Sequence, residues 1–389
     1  MHVPTLFASF LMGGFECSSH RRSDGRRLDL LQATGHDAHA KTDYHTLRGF
    51  GLRSVRDGLR WHRIETAPGR YDWSSFLPML HAARDEGMQP IWDLCHYGWP
   101  DGIDIWRPEF VDRFARFAAA AAALVRDETD DVPFYCPVNE IAYWSWAGGD
   151  MAQFNPGARG RGFELKHQLV RAAIAGIEAV RAVDPRARFV LVDPVIHTAA
   201  RPDRPRDRRE ADAFRMAQFQ SWDMIRGDLW PGLGGRPELL DIVGVNFYPD
   251  NQWYIGGGTI PRGHPQFRPF REMLAEVHER YGRPVLIAET GAEGEERAPW
   301  FAYVAEETRA AMAAGAAVEG MCLYPVLEYP GWDNDRHCPV GLLGFPDARG
   351  ARPENAAMAA ELRRQQAIFD GMTSPDPAAV TQWIAGAAE

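Results

Sequence analysis

The sequence predicts a single (β/α)8 barrel, the TIM-barrel class of α/β folds. Eight short apolar runs alternate with longer amphipathic stretches along the chain. Apolar strands that alternate with helices indicate a parallel sheet, and eight repeats of this unit favour a closed barrel over an open sheet. The 389 residues suffice for one such domain, since barrel enzymes run past about 250 residues. We expect the barrel to occupy residues 1–370 and a C-terminal tail to occupy residues 371–389.

The predicted strands lie at residues 5–12, 52–59, 89–94, 133–138, 188–192, 241–246, 284–288 and 319–323. The apolar N-terminal sequence MHVPTLFASFLMGG lacks a basic region and a cleavage site, so it is interpreted as the first strand rather than as a signal peptide. Apolar residues at helical spacing predict helices at residues 74–86, 110–125, 164–183, 210–225, 267–281, 298–314 and 353–369. Gly87, Gly282 and Gly315 follow three of these helices, where a left-handed residue commonly ends a helix.

The composition argues against several classes of protein. The net charge of −10 does not suit a nucleic-acid binder, which is usually basic. No apolar run is long enough to span a bilayer, so we expect no membrane partner. The five cysteines are scattered without zinc-like spacing, which suits a reducing cytoplasm. We therefore expect a cytoplasmic protein with no metal and no cofactor, and the sequence leaves the oligomeric state open.

Two glutamates follow strands on opposite sides of the predicted barrel. Glu140 comes after the fourth strand, preceded by Asn139, and Glu289 ends the seventh strand. The chemistry of barrel enzymes takes place at the C-terminal ends of the strands. Hydrolysis of a glycosidic bond requires two carboxyl groups, one to protonate the leaving oxygen and one to attack the anomeric carbon or activate water. The pair therefore predicts a glycoside or other carbohydrate as the small-molecule substrate.

Six segments strengthen this interpretation, each on its expected strand: FLMGG from residue 10, VR and WHRI from residues 55 and 61, LCHYGWP from residue 94, VNE from residue 138, GVNFY from residue 244 and AETG from residue 288. In this order they resemble the motifs of family-one β-glycosidases, which are retaining glycoside hydrolases, and the resemblance covers most of the chain. It implies that Glu140 is the general acid/base and Glu289 the nucleophile. A retaining mechanism places the two carboxyl groups about 5–5.5 Å apart.

The resemblance also implies roles at matched positions. Arg56 would lie beside Glu289 and keep it ionised, and Tyr248 would donate a hydrogen bond to the same carboxylate. Asn139 would bind the sugar 2-hydroxyl, an interaction that strengthens in the transition state, and His96 would bind another hydroxyl. Three further residues are expected to line the same sugar pocket: Asn246, Tyr324 and Trp332.

Three positions depart from the family pattern in the pocket for the −1 sugar, the sugar whose anomeric carbon is attacked. His20 stands where the family has a sugar-binding Gln, Gly331 where it has a Glu, and Tyr324 where it has a Trp. These changes predict an atypical pocket in which simple β-glucosides are poor substrates. The nearby Asp333 and Asp335 could instead reach inward and restore ordinary glucose binding.

Other functions remain open at this stage. A transglycosylase would use the same site. A carbohydrate-binding pseudoenzyme is disfavoured because both glutamates are present together with Arg56 and Tyr248. A metal-dependent barrel hydrolase could draw its ligands from Asp93, His96, Asp193 and His197, although their spacing is not that of a compact metal site.

Overall fold

The computed structural model of the protein describes residues 4–373 and contains a closed barrel of eight parallel strands. We number the barrel strands in chain order: β1 Leu11–Gly14, β2 Ser54–Gly58, β3 Gln89–Asp93, β4 Phe134–Cys136, β5 Arg188–Pro194, β6 Ile242–Asn246, β7 Val285–Thr290 and β8 Val318–Leu323. Each strand pairs with the next along the chain, and β8 closes the barrel on β1 where Met321 pairs with Leu11. The predicted fold class is confirmed.

The main helices are α1 His36–Gly49, α2 Leu77–Asp85, α3 Pro108–Glu128, α4 Gly162–Val183, α5 Arg208–Met216, α6 Gln220–Arg226, α7 Phe270–Tyr281, α8 Arg297–Ala313 and α9 Ala356–Thr373. Helix α3 shows why they pack on the barrel. It buries an apolar stripe at helical spacing, made of Phe110, Phe114, Phe117, Ala118, Ala121, Ala122 and Val125. Gly282 ends α7 in the left-handed conformation, and Gly87 and Gly315 also have positive φ, as predicted.

The strands separate two apolar layers because side chains alternate along each strand. In β5, Val190 and Val192 point into the barrel, while Phe189 and Leu191 pack outward against the helices. A strand that is buried on both faces has a continuous run of apolar residues, which explains why the barrel strands could be predicted from the sequence.

The prediction for the first strand is wrong at its start, because β1 begins at Leu11 rather than at residue 5. The amide nitrogens of Thr5 and Leu6 donate to Glu319 Oε2 at 2.8 and 3.1 Å, and that of Ala8 donates to Gln89 Oε1 at 2.8 Å. The Phe7 ring packs against Phe134, with ring centroids 5.0 Å apart. Residues 5–9 therefore cover the N-terminal end of the barrel instead of joining its wall.

Helix α1 was not predicted, because polar residues occupy two of its inward positions. His36 and Asp43 are fully buried beside Ala40, Tyr44 and Leu47, so the apolar periodicity is broken. The predicted helix at residues 210–225 is divided into α5 and α6 by a turn of 3₁₀ helix, Ala217–Phe219.

The predicted tail begins inside α9, which extends to Thr373, and residues 374–389 lie outside the described residues. None of the helices within residues 4–373 is long and apolar enough to cross a membrane. All five cysteines are buried and unpaired.

Candidate active site

The two predicted catalytic glutamates lie in the mouth formed by the C-terminal ends of the strands. Glu289 is the penultimate residue of β7, and Glu140 follows β4; their side chains are buried, with residue exposures of 5% and 7%. Glu140 has a φ of 47°, in the left-handed region that costs a non-glycine residue about 1–3 kcal/mol. Its amide nitrogen donates to Val192 O at 3.0 Å, which helps to hold this conformation. Backbone strain of this kind concentrates at functional sites.

Arg56 in β2 connects the residues of the mouth. Its Nη1 donates to Glu289 Oε1 at 2.6 Å, and its Nε and Nη2 donate to the two oxygens of Asp93 at 2.9 and 2.7 Å. Nη2 also donates to Asn139 Oδ1 at 2.6 Å, and Nη1 reaches Ala288 O at 3.4 Å. All five donors of the guanidinium are thus used. Although burial opposes it, the Asp93 and Glu289 carboxylates raise the pKa of Arg56 above its ordinary value, so the positive charge is permanent.

The carboxylate of Glu289 is held at both oxygens. Oε1 accepts from Arg56, and Oε2 accepts from the hydroxyl of Tyr248 at 2.9 Å. A neighbouring cation and a second hydrogen-bond donor both favour the ionised form of a carboxyl group. Both oxygens of Glu289 are therefore held in a fixed position at the mouth.

The orientation of Asn139 determines the hydrogen bonds around it. Since Oδ1 accepts from Arg56, Nδ2 is the donor, and it lies 2.9 Å from His96 Nε2 and 3.1 Å from the Tyr97 hydroxyl. His96 must then accept at Nε2 and donate from Nδ1 to Asp93 Oδ2, 2.8 Å away. Burial raises the pKa of Asp93, but Arg56 and His96 more than offset this and hold it below its usual range.

Tyr97 completes a chain of donors that ends on the second glutamate. Its hydroxyl accepts from Asn139 and donates to Glu140 Oε2, while Asn246 Nδ2 donates to Glu140 Oε1 at 2.7 Å. Burial, followed by the charge of Glu289, raises the pKa of Glu140 to about 8, despite the lowering effect of these two hydrogen bonds. Glu140 is therefore protonated near neutral pH.

The mouth thus contains two carboxyl groups in different environments. Arg56 binds Glu289, whereas Glu140 has no ion-pair partner among residues 4–373, and burial followed by the charge of Glu289 raises its pKa. Environments that separate the proton affinities of two carboxyl groups are those that assign acid and nucleophile in glycosidases. The arrangement can donate a proton from one side of a bound atom and attack from the other.

The predicted sugar pocket is lined by aromatic rings. The His20 ring lies 4.9 Å from Phe154 and 5.2 Å from Trp332, centroid to centroid. Burial lowers the pKa of His20 to about 3, so this side chain is neutral. His20 Nδ1 and Trp332 Nε1 are both buried without a hydrogen-bond partner among the described residues. The position aligned with the family Gln therefore offers no positive charge to an anionic sugar.

Tyr324 lies on the floor of the mouth rather than at its rim. It is 1% exposed, Arg56 lies over its ring at 5.1 Å from the centroid, and its ring is nearly parallel to that of His96. A Cβ atom on Gly14 would lie 2.1 Å from Tyr324 Cδ2, so the close approach of this ring requires glycine in β1. The phenol therefore has a fixed place in the site.

The two acids proposed to compensate for Gly331 are exposed. Asp335 pairs at the surface with Arg22 and Arg26, at 3.1 and 2.8 Å, and Asp333 is also exposed. Asp335 therefore points away from the mouth.

The structure does not bring the four proposed metal ligands together. Among residues 4–373, the ligand atoms that cluster are those of Cys17, Asp93 and His96, and both Asp93 oxygens already bind the Arg56 guanidinium. Asp193 instead accepts from the Ser221 hydroxyl and from the amide of Ala142.

Sequence reasoning gave no glycosidase role to three polar residues of the mouth. Asp93, considered only as a metal ligand, is the last residue of β3, and Tyr97 follows His96; their hydrogen bonds show that they belong to the site. Glu16 follows β1 and is 5% exposed. Placing the first strand at residues 11–14 rather than 5–12 would have drawn attention to Glu16, since residues just after barrel strands carry the chemistry.

Several solved structures share this fold, among them structures of β-glucosidases. A family 1 β-glucosidase from Thermotoga maritima is 15% identical, with a TM-score of 0.75 over 92% of this chain and 98% of that chain. A β-glucosidase from the same organism in complex with glucoimidazole is 16% identical, with a TM-score of 0.76 over 94% and 99%. The AHE enzyme from Alicyclobacillus herbarius is 14% identical, with a TM-score of 0.75 over 95% and 99%. No protein-family model and no curated protein matches the chain.

Proposed function

We propose that this chain, whose fold is that of the family 1 β-glucosidases, is a retaining glycoside hydrolase that cleaves a β-linked glycoside by double displacement. The observation that carries the proposal is the pair of buried glutamates in one barrel mouth, Glu289 bound by Arg56 and Tyr248 and Glu140 bound by Tyr97 and Asn246. We assign Glu289 as the nucleophile and Glu140 as the general acid/base. The shared fold supports this assignment, and a separation of about 5–5.5 Å between the two carboxyl groups stays a prediction.

In the first step, Glu289 attacks the anomeric carbon while Glu140 donates its proton to the leaving oxygen. The bond between the anomeric carbon and that oxygen breaks, and a covalent glycosyl-enzyme ester forms. Arg56 and Tyr248 orient the attacking carboxylate. Tyr97 and Asn246 hold the carboxyl group of Glu140 toward the leaving group.

In the second step, the ester has removed the negative charge of Glu289. This charge is the second largest cause of the raised pKa of Glu140, so the pKa falls when the intermediate forms. Glu140 is now ionised and takes a proton from water as the water attacks the anomeric carbon. The sugar is released with its original anomeric configuration, and both glutamates return to their starting states.

We assign Asn139 to the sugar 2-hydroxyl, since its Oδ1 keeps one lone pair beyond the bond to Arg56. Both ring nitrogens of His96 are engaged within the protein, so a bond to a sugar hydroxyl would have to replace the one to Asn139. His96 therefore acts first as a positioning residue. The predicted sugar-binding roles of the remaining pocket residues belong to the same proposal: His20, Asn246, Tyr324 and Trp332.

The test begins with a panel of aryl glycosides that covers pentoses, deoxy sugars, uronic acids and hexoses. Proton NMR of the first-formed sugar should show the anomer of the substrate. A 2-deoxy-2-fluoro analogue of the best substrate should inactivate the enzyme, and peptide mapping should find the label on Glu289. Glu289→Gln should lose turnover and labelling. The matched control is Glu293→Gln, because Glu293 pairs with Arg336 at the surface just beyond β7.

Three outcomes would contradict the proposal. An inverted product would exclude double displacement, and loss of activity on treatment with a chelator would favour a metal-dependent hydrolase. Binding of glycosides without turnover would identify a pseudoenzyme. Transfer of the sugar to an added alcohol or sugar in preference to water would assign the same site to a transglycosylase.

A further inference from the structure

Glu16 is a third glutamate in the catalytic mouth, and the proposed mechanism does not use it. It lies two residues beyond β1 and is 5% exposed. Burial raises the pKa of Glu16 despite the lowering effects of His96 and of the Ser18 hydroxyl, and the charge of Glu289 adds to the rise, so the two carboxyl groups interact across the mouth. Its charge also acts on Tyr248 and Tyr324, residues that line the nucleophile side of the mouth.

The hydrogen bonds of Glu16 engage only one of its oxygens. Oε1 accepts from the amide of Ser18 at 3.0 Å and from the Ser18 hydroxyl. No donor among residues 4–373 bonds to Oε2, and this atom is not among the fully enclosed polar atoms that lack a partner. The small exposed fraction of Glu16 therefore includes a free acceptor oxygen.

Glu16 also lacks a cation within the described chain. The nearest basic atom is His96 Nε2, 3.8 Å from Oε1, but this nitrogen accepts from Asn139 and has no hydrogen to donate. Buried carboxylates are nearly always paired, since burial without a partner is costly. A buried carboxylate with one free oxygen in a catalytic mouth is therefore suited to accept hydrogen bonds from a ligand.

The surrounding charges restrict which ligand this is. Among the described residues, the Arg56 guanidinium is already bound to Glu289 and Asp93, and His20 is neutral, so neither of them offers a free positive charge to an anionic sugar. A uronic acid or a phosphorylated sugar would bring a second negative charge toward Glu16. A neutral sugar with free hydroxyl groups supplies the donors that Oε2 lacks.

We propose that Glu16 Oε2 binds a ring hydroxyl of the −1 sugar other than the 2-hydroxyl assigned to Asn139. In this role Glu16 supplies part of the recognition that His20 and Gly331 do not provide, and it selects neutral sugars over anionic ones. This inference rests on the proposed glycosidase function.

The test combines enzyme variants with substrates that lack single hydroxyl groups. Removal of the hydroxyl bound by Glu16 should lower kcat/KM of the wild type roughly 10–100-fold, the range for a hydrogen bond to a charged group. Glu16→Gln should lose a similar factor on the complete substrate. It should then distinguish the complete and deoxy substrates by less than about 3-fold, because the two changes remove the same interaction.

Two control variants separate binding from other roles. Ser18→Ala removes the hydroxyl donor to Oε1 but leaves the amide donor and Oε2 in place, so it should keep the wild-type discrimination between the two substrates. Asp335→Asn removes a negative charge at the surface, where Asp335 pairs with Arg26, and should behave as the wild type. Labelling of Glu289 by the 2-fluoro analogue should persist in Glu16→Gln, which shows that the variant is folded and that its catalytic pair is intact.

The proposal is overturned if Glu16→Gln discriminates against the deoxy substrate as strongly as the wild type does. It is also overturned if Ser18→Ala reproduces the loss, which would make Glu16 a support of its own loop, or if the wild type prefers a uronide or an amino sugar. If the wild type cleaves no glycoside, the proposed function fails separately. Calorimetry with the free monosaccharides and their deoxy analogues then tests Glu16 alone, with weaker binding of the complete sugar to Glu16→Gln expected.

Discussion

Replacing Tyr97 by Phe should move the alkaline limb of the pH profile of kcat/KM to higher pH. The Tyr97 hydroxyl donates to Glu140 Oε2, and this bond is one of the interactions that lower the pKa of Glu140. Tyr97 is fully buried, so the variant leaves an apolar ring of nearly the same shape against the carboxyl group. The ionised form of Glu140 loses a donor, whereas the protonated form loses much less.

The size of the effect follows from the strength of that bond. A hydrogen bond to a charged group contributes about 1.5–3 kcal/mol, and one pH unit corresponds to about 1.36 kcal/mol. The alkaline limb should therefore move upward by about 1–2 pH units, with the smaller value expected if water enters the space left by the hydroxyl. The alkaline limb of kcat/KM reports the acid of the free enzyme, which we assign to Glu140.

The assay is kcat/KM for the best aryl glycoside between pH 5 and pH 10, with circular dichroism to show that the variant stays folded. Tyr135→Phe provides the matched control, since Tyr135 is a buried tyrosine of β4 whose hydroxyl has no partner among the described residues. That variant should leave the profile unchanged. An alkaline limb that stays in place, or moves to lower pH, in a folded Tyr97→Phe enzyme would refute the assignment of Tyr97 as a donor to the catalytic acid.

Three further outcomes are expected. Glu140→Ala should lose roughly 10²–10⁴-fold in rate on substrates whose leaving groups need protonation, and less on activated aryl glycosides. Added azide should restore turnover and give the β-glycosyl azide as product. Equal losses on both kinds of substrate, without rescue by azide, would mean that Glu140 is not the proton donor. Arg56→Met should move the acidic limb of the pH profile of kcat/KM to higher pH. It should also lower the free energy of unfolding by about 3–5 kcal/mol, because two buried carboxylates lose their cation. An unchanged acidic limb in a folded, active variant would mean that Arg56 has only a structural role. Neither the β-glucoside nor the β-galactoside should have the highest kcat/KM of the panel. His20 and Gly331 leave hydroxyl groups of these sugars without a hydrogen-bond partner, and each such group costs about 1–3 kcal/mol of binding free energy. The highest kcat/KM for either of these two glycosides would disprove the atypical pocket.

The barrel could be predicted because its strands are buried on both faces and therefore stand out as apolar runs. The first strand was the exception: residues 5–9 are apolar because Leu6 and Phe7 pack against the core inside the barrel. Composition does not distinguish a segment that covers the end of a barrel from one that forms its wall. The error in the bounds of the first strand also affected the predicted site, because Glu16 was not recognised as a residue that directly follows β1.

The placement of Arg56 beside Glu289 was inferred from motif order, but the hydrogen-bond directions were not accessible from sequence. They depend on side chains from β2, β3 and β4 that meet only when the barrel closes. The orientation of Asn139, and with it the role of His96 as an acceptor, follows from the position of Arg56 Nη2. Helix α1 was missed for a related reason, since the polar side chain of His36 is buried with hydrogen bonds to Asp43 and Asp57, which come together only in the folded chain.

The raised pKa of Glu140 also links folding to proton uptake. In the unfolded chain this carboxyl group titrates near its ordinary value of 4.5, whereas in the folded chain it titrates at about 8. Between these pH values the native state binds a proton that the unfolded state releases, so the contribution of Glu140 to the free energy of unfolding decreases as pH rises and levels off above about 8. The environment that makes Glu140 an acid at neutral pH therefore makes the whole barrel less stable as the pH rises from about 4.5 to about 8, and this loss is nearly complete by the pH at which the acid form itself is lost.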